Sequence, residues 1–283
     1  MRKLILIAAI SQLILLTGCK GDLLDYLGGG SNNKKYTVNF RIGGLNHNVG
    51  EPNVGFQTEP IKNYITQLSI IVYDVKSGAE VARKIQSSTD LDFGQITFSL
   101  PSSNYHFVAA GSNTPFGINL FYQTPTTPPV NLPYGEAYMQ YSYPTPYEGE
   151  KTYKTTDTFI AKVTSNITTN KSLDMIMQRV IGRIEVSFTD APIFRAELRA
   201  ESTAITFDSL TSLYGITRRP TFEVNTAVDG PFKLNILTTH TPMWLDIKPP
   251  SVISRPVFIP VEKNKTTKVT GNLLTEEYTI VIQ

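Results

Sequence analysis

The 283-residue chain contains one cysteine, Cys19, in the stretch LTGCK. A thiolate attacks electrophiles and binds soft metals, but a lone one closes no disulfide and completes no thiolate zinc site. The three histidines, His47, His106 and His240, lack the H-x-x-x-H spacing of a metal pair. There is no G-x-S-x-G nucleophile elbow and no Gly-rich phosphate loop. Asp90 and Asp92 in DLDFG stand close enough to share a cation, yet the stretch reads more readily as a turn leading into a strand at Ile96. Trp244, in TPMWLDIKPP, has the setting of a core or strand-end residue more than of a ligand platform. These residues point to no catalytic group, no metal and no cofactor, so an enzyme is not expected. The reaction left to consider is modification of the Cys19 thiol.

Arg2 and Lys3 give a basic start, and Leu4 to Leu16 form an apolar run broken only by Ser11 and Gln12. The run has the length of a signal-peptide core and falls short of the roughly 20 residues of a spanning helix, so it reads as an export signal. Leu16, Thr17, Gly18 and Cys19 resemble the lipobox of bacterial lipoproteins. That resemblance implies that residues 1–18 are a signal peptide cleaved between Gly18 and Cys19. It also implies a diacylglycerol on the thiol, with acyl chains such as palmitate at the new N-terminus. Each buried methylene contributes about 0.8 kcal/mol, so two or more chains hold a protein on a bilayer where one would not. Cys19 is the expected lipid attachment.

The chain has 26 basic and 24 acidic residues, and without Arg2 and Lys3 the two counts balance at 24. A neutral chain has no electrostatic footprint for nucleic acid, which is therefore not an expected partner. Residues 19–35 include GGGSNN, too poor in apolar surface to fold, and read as a flexible leash. Stability must then come from a core beginning near Tyr36.

The elements from there on read as strands. In YTVNFRIGG, Tyr36, Val38, Phe40 and Ile42 alternate with Thr37, Asn39 and Arg41, the period of a half-buried strand. QLSIIVYDVKSGAEV sets Leu68, Ile70 and Val72 on one face and Ile71, Tyr73 and Val75 on the other; Lys76, Ser77 and Gly78 supply a hairpin turn. In ITFSLPSSNYHFVAAG, Ile96, Phe98 and Leu100 point inward, Pro101 ends the strand, and Tyr105, Phe107 and Ala109 return. GRIEVSF, TAITFDSL, FKLNILT, PVFIPV, TKVTGNLL and EYTIVIQ continue the pattern, and the β-branched end of DMIMQRVIG argues against a helix there. Many short strands with regular turn signals predict an all-β chain of two β-sandwich domains, residues 36–170 and 171–283.

Between the halves lies LPYGEAYMQYSYPTPYEGEKTY. Pro144 and Pro146 forbid a continuous ladder, so a long loop or irregular edge is expected. Tyr138, Tyr141, Tyr143 and Tyr147 are candidate interface residues, because a tyrosine joins a rigid apolar body to a polar tip. The simpler reading, and the favoured one, is that the same rings pack the loop against the nearest sandwich.

The lipobox, the leash and the strand pattern together resemble the fimbrillin superfamily, subunits of type V pili of Gram-negative bacteria. Local likeness lies in the hairpin at IVYDVKSGAEV, in ITFSLPSSNYHFVAAG, which is similar to that family's L-P-x-G-x-Y turn, and in MQRVIGRIEV, which is similar to its R-x-x-A-K-I strand. Ser102, Ser103 and Asn104 replace the glycine turn, and Gly182 with Arg183 replaces alanine with lysine. The resemblance implies consecutive transthyretin-like sandwiches, other fimbrial subunits as partners, and assembly by strand addition. It also implies an outer-membrane, surface-exposed location in a fimbrium. The C-terminal EYTIVIQ, with Tyr278, Ile280 and Ile282 on one face, is a candidate exchange segment and equally an ordinary last strand. Shaft subunits of the family lose their lipidated N-terminus to cleavage after an arginine, whereas anchor subunits keep it. Arg41 falls inside a predicted strand, although Lys34 and Lys35 lie just upstream. The expectation is thus a structural fimbrial anchor or accessory lipoprotein held through Cys19. The alternative is a surface glycan-binding lipoprotein whose tyrosine-rich loop and Trp244 stack on sugars.

Overall fold

Alternation in YTVNFRIGG builds β1 (Lys35–Gly43), with Val38, Phe40 and Ile42 buried and Asn39 and Arg41 exposed. The computed structural model describes residues 34–45, 49, 60–120, 131–142, 155–213, 217–237, 243–250 and 252–283. The described chain is all-β, with six sheets, a 3-10 turn at Ile61–Asn63 and one four-residue helix, α1 (Thr226–Asp229). Among the described residues no helix is long and apolar enough to cross a membrane. Tyr36–Gln283 group as one compact unit.

β1 is the middle strand of a three-stranded sheet, between β4 (Gln95–Pro101) and β9 (Lys171–Ile176). Its pairing with β9 is parallel, from Val38 opposite Lys171 to Gly43 opposite Ile176. A five-stranded antiparallel sheet runs in the order β10 (Gln178–Arg179), β8 (Thr158–Ile167), β5 (Ser103–Ser112), β2 (Gln67–Asp74) and β3 (Glu80–Ser87). One core joins these two sheets: Val38, Phe40 and Ile42 meet Leu68, Ile70, Val72 and Phe107, and the Phe40 and Phe107 rings lie 4.9 Å apart. The turn at Ser102 passes from the first sheet to the second, so Pro101 ends one layer and Ser103 begins the other.

β2 is apolar on both faces because both are covered. Its second face, Ile71 and Tyr73, packs on a small sheet of β6 (Phe116–Ile118), β7 (Tyr138–Tyr141) and β14 (Ala204–Thr206). The β2–β3 hairpin turns where expected. Gly78 sits at φ +70°, its N–H donating to the Asp74 carbonyl, and the Asp74 carboxylate accepts from the Ser77 N–H and hydroxyl.

Two four-stranded sheets enclose a further core. One runs β17 (Phe232–Leu237), β11 (Ile181–Phe188), β20 (Thr266–Asn272), β21 (Glu277–Ile282); the other runs β16 (Thr221–Asn225), β12 (Ile193–Leu198), β18 (Met243–Lys248), β19 (Arg255–Ile259). Ile184, Val186 and Phe188 face Phe194, Ala196 and Leu245 in this core. Burying each large apolar side chain contributes about 1.5–3 kcal/mol. A two-stranded ribbon of β13 (Glu201–Ser202) and β15 (Thr217–Arg218) completes the set. The boundary expected at 170/171 falls in the turn between β8 and β9. β9 and β10 still pair with strands of the first half, and β11 opens the second pair of sheets.

Candidate functional site

The expected lipid site, Gly18 and Cys19, and the leash up to residue 33 lie outside the described residues. Lys34 and Lys35 are exposed at the start of β1, whereas Arg41 is held in the ladder to β9. The Arg41 guanidinium donates from Nε and Nη2 to both oxygens of Asp174, at 2.9 and 2.8 Å. That pairing holds the Asp174 carboxyl below its ordinary value and raises Arg41 further. A protease must pull a central strand from its sheet to reach the bond after Arg41, whereas the bond after Lys34 precedes β1 and that after Lys35 lies at its first residue.

Arg179 is the third residue of MQRVIGRIEV and the last of β10. Its side chain is 1% exposed, and Nε and Nη2 donate to the Asp157 carboxylate at 3.1 and 3.2 Å. Nη1 donates to Asn264 Oδ1 at 3.0 Å, and the guanidinium lies 5.0 Å from the Phe159 ring centre. One cation thus ties the first residues of the β8 segment to the turn between β19 and β20. The halves also interlock through β14, which pairs antiparallel with β7. The sequence marks Arg179 only as part of a motif; the signal available was an arginine at a strand end followed by the apolar pair Val180 and Ile181.

Tyr138 and Tyr141 lie in β7, at 6% and 2% exposure, instead of in a loop. The Tyr141 hydroxyl pairs with Thr158 Oγ1 at 2.7 Å. Neither ring offers an open face: β7 is the central strand of its small sheet, Tyr141 packs in the core shared with β2, and Tyr138, on the opposite face, is buried as well. Tyr134 stacks on His106 at 4.2 Å and packs on Tyr73, and burial raises the phenols of both tyrosines. Tyr143 and Tyr147, like His47 and His240, lie outside the described residues. Asp90 accepts the Ser87 N–H within the turn before β4, and among the described residues no group of three acidic, histidine or cysteine side chains gathers.

The candidate exchange segment is β21, the edge of its sheet, paired among the described residues only with β20. Tyr278, Ile280 and Ile282 lie opposite Gly271, Val269 and Thr267, so they share the core face. Tyr278 reaches the core and meets Phe188 edge to face at 6.0 Å. Ile280 has the same orientation but remains 37% exposed. Core-facing apolar surface is therefore left open at this edge. On the outer face of the other sheet, Trp244 and Phe258 are 41% and 48% exposed, paired across β18 and β19 with rings 4.6 Å apart. Arg199, bonded to both oxygens of Asp246, covers Trp244 at 4.5 Å. Alternation with Met243, Leu245 and Ile247 was the signal that turned Trp244 outward.

The profile of the family described as "Mfa2: Fimbrillin-A associated anchor proteins Mfa1 and Mfa2" matches residues 33–248. No curated protein matches the chain. Among solved structures, the fimbrial anchor protein Mfa2 from Porphyromonas gingivalis is similar with TM-score 0.53 and 12% identity, over 88% of this chain and 96% of that one. A protein from Bacteroides thetaiotaomicron, provisionally named for polysaccharide binding, gives TM-score 0.56 and 11% identity over 88% and 95%. An adhesin from the same organism, also provisionally named, gives 0.56 and 14% over 88% and 95%. At these identities the likeness is one of fold.

Proposed function

We propose a function from one premise: the chain belongs to the fimbrillin-A associated anchor family, fimbrial proteins that are structural and not enzymatic. On that premise the chain is a fimbrial anchor or accessory lipoprotein of the outer membrane. Cys19, acylated after cleavage behind Gly18, tethers it, and residues 19–35 are the leash. Its folded part is two β-sandwiches, divided at Val180 between β10 and β11. Its partners are other fimbrial subunits, met by strand addition, in which backbone bonds contribute affinity and alternate side chains set specificity.

The observation that carries this reading is the integration of β1. Val38, Phe40 and Ile42 are within the core, and Arg41 lies mid-strand with its side chain clamped by Asp174. Removing the N-terminus at Arg41 would strip the middle strand from a sheet, so the position supports a retained N-terminus and a retained lipid. Tyr138 and Tyr141, being buried, give no support to a sugar platform built on the tyrosine-rich segment.

Intact mass and N-terminal analysis of protein from outer membranes and from sheared filaments tests it. Acylated protein beginning at Cys19, released from the membrane by Cys19→Ser and found with fimbriae at their base, is the expected result. Protein in filaments beginning after Lys35 or Arg41 would overturn it.

A further inference from the structure

The second pair of sheets has two sides, one bridged by the chain and one not. On the bridged side β16 and β17 are joined through α1, Phe222 and Phe232 meet at 5.4 Å, and a cavity of about 580 Å³ lies between the two strands and the α1 turn. The unbridged side lies between the other two edges, β19 and β21. Arg255 at the start of β19 pairs with Glu276 before β21, so the two edges share one rim. Ile280, core-facing yet 37% exposed, marks the uncovered floor.

The backbone there is oriented for pairing. Thr266 and Gln283 exchange both hydrogen bonds, at 2.9 and 2.8 Å. In an antiparallel pair this pattern recurs at every second residue, so Val281, Thr279 and Glu277 also point their N–H and C=O groups at β20. Tyr278, Ile280 and Ile282 consequently aim theirs outward, at an edge with no strand among the described residues. The Arg255 Nε–H is also buried without an acceptor among them.

β21 itself is fixed in place. It is paired with β20 along its whole length, Gln283 just beyond it is bonded to Thr266, and Tyr278 is anchored on Phe188. At Gly271, φ +135°, a Cβ would lie 2.4 Å from the Glu277 carbonyl oxygen, so the two backbones are fitted to each other there.

We propose that this edge is an acceptor: it receives an extended strand from a neighbouring fimbrial subunit along the outer edge of β21, and β21 is not donated. The inference rests on the strand-addition reading above and fixes its direction. Within β19 and β21 the charges are Arg255 and Glu277, both at strand starts, and Arg255 is already paired. The occupant is therefore a strand with apolar side chains at every second position and no charge at its centre, since a buried unpaired charge is costly. An unprotected apolar edge of this kind is a pairing template.

The test uses the full lipidated chain in detergent, with a blocked, labelled peptide of alternating threonine and valine as probe and fluorescence anisotropy as readout. Ile280→Pro removes an outward N–H while leaving the bonds to β20, and should weaken binding roughly tenfold or more. Ile280→Val should bind as the native protein does. A disulfide from Thr270→Cys with Thr279→Cys, a facing pair, locks β21 onto β20. The locked protein should still bind the probe and still support filament attachment in cells. Loss of attachment on locking would show that β21 is donated and overturn the inference, as would probe binding unaffected by Ile280→Pro or absent altogether. Peptide binding is read without any fimbria, so failure of the anchor reading in cells is distinguished from failure of the acceptor edge.

Discussion

Replacing Arg179 by alanine should lower stability by about 3 kcal/mol. The side chain is 1% exposed, so its charge is met by protein and not by water. Removing it takes the bidentate donor from the Asp157 carboxylate and the Nη1 donor from Asn264 Oδ1, and vacates the space over Phe159. Breaking a buried ion pair costs about 3–5 kcal/mol. Asp157 is 27% exposed, and water entering there brings the cost to the lower end of that range. For a domain of this size about 3 kcal/mol corresponds to a Tm lower by about 6–12 °C. Urea and thermal unfolding of the native chain and of Arg179→Ala measure it. A double-mutant cycle with Asp157→Ala should return a coupling of about 1–3 kcal/mol. A loss under about 1 kcal/mol, or no coupling, would refute the idea that this cation fastens the β8 segment to the β19–β20 turn.

Gly182→Ala places a Cβ 2.4 Å from the Glu262 carbonyl oxygen, so backbone must move; a cost of about 1–3 kcal/mol is expected by chemical denaturation. Limited trypsin digestion of the folded protein should cut after Lys34 or Lys35 and spare Arg41, read by mass spectrometry. Bonds from the Ser77 N–H, then the Ser103 and Ser77 hydroxyls, hold the Asp74 carboxyl below its usual value. A depressed carboxyl contributes stability above its unfolded value, about 3.9, and loses it as pH falls through the folded value. Asp74→Asn should thus be less stable than the native chain near neutrality, with the gap closing in acid. A gap constant with pH would mean that the charge plays no part.

Most strands could be read in the sequence because one face of each is wet or two faces are buried, and both conditions leave a periodic trace. β1 shows the first in Val38, Phe40 and Ile42; β2 shows the second in LSIIVY. Partners left no such trace. Nothing in YTVNFRIGG says that it runs parallel to a strand beginning at Lys171, since that choice is made by the layer opposite. The tyrosine-rich segment misled for a related reason. Pro144 and Pro146 come after Tyr141, so they set no limit on β7, which pairs with a strand from the other half and buries Tyr141 against β2.

The C-terminal strand shows where pattern and role part company. EYTIVIQ alternates as both a donor strand and an ordinary edge strand must, so periodicity cannot separate the two. The difference lies in glycine geometry at Gly271, the reciprocal bonds at Thr266 and Gln283, and the side of the ladder on which Ile280 keeps its N–H. Only register carries that information. A strand fitted so closely along one edge and left open along the other lowers the energy of receiving a neighbour without any cost of leaving its own sheet. In an anchor that distinction has a mechanical consequence: a load on the fimbria would act across hydrogen bonds along β21, and the strand's bonds to β20 would resist it together instead of opening one at a time.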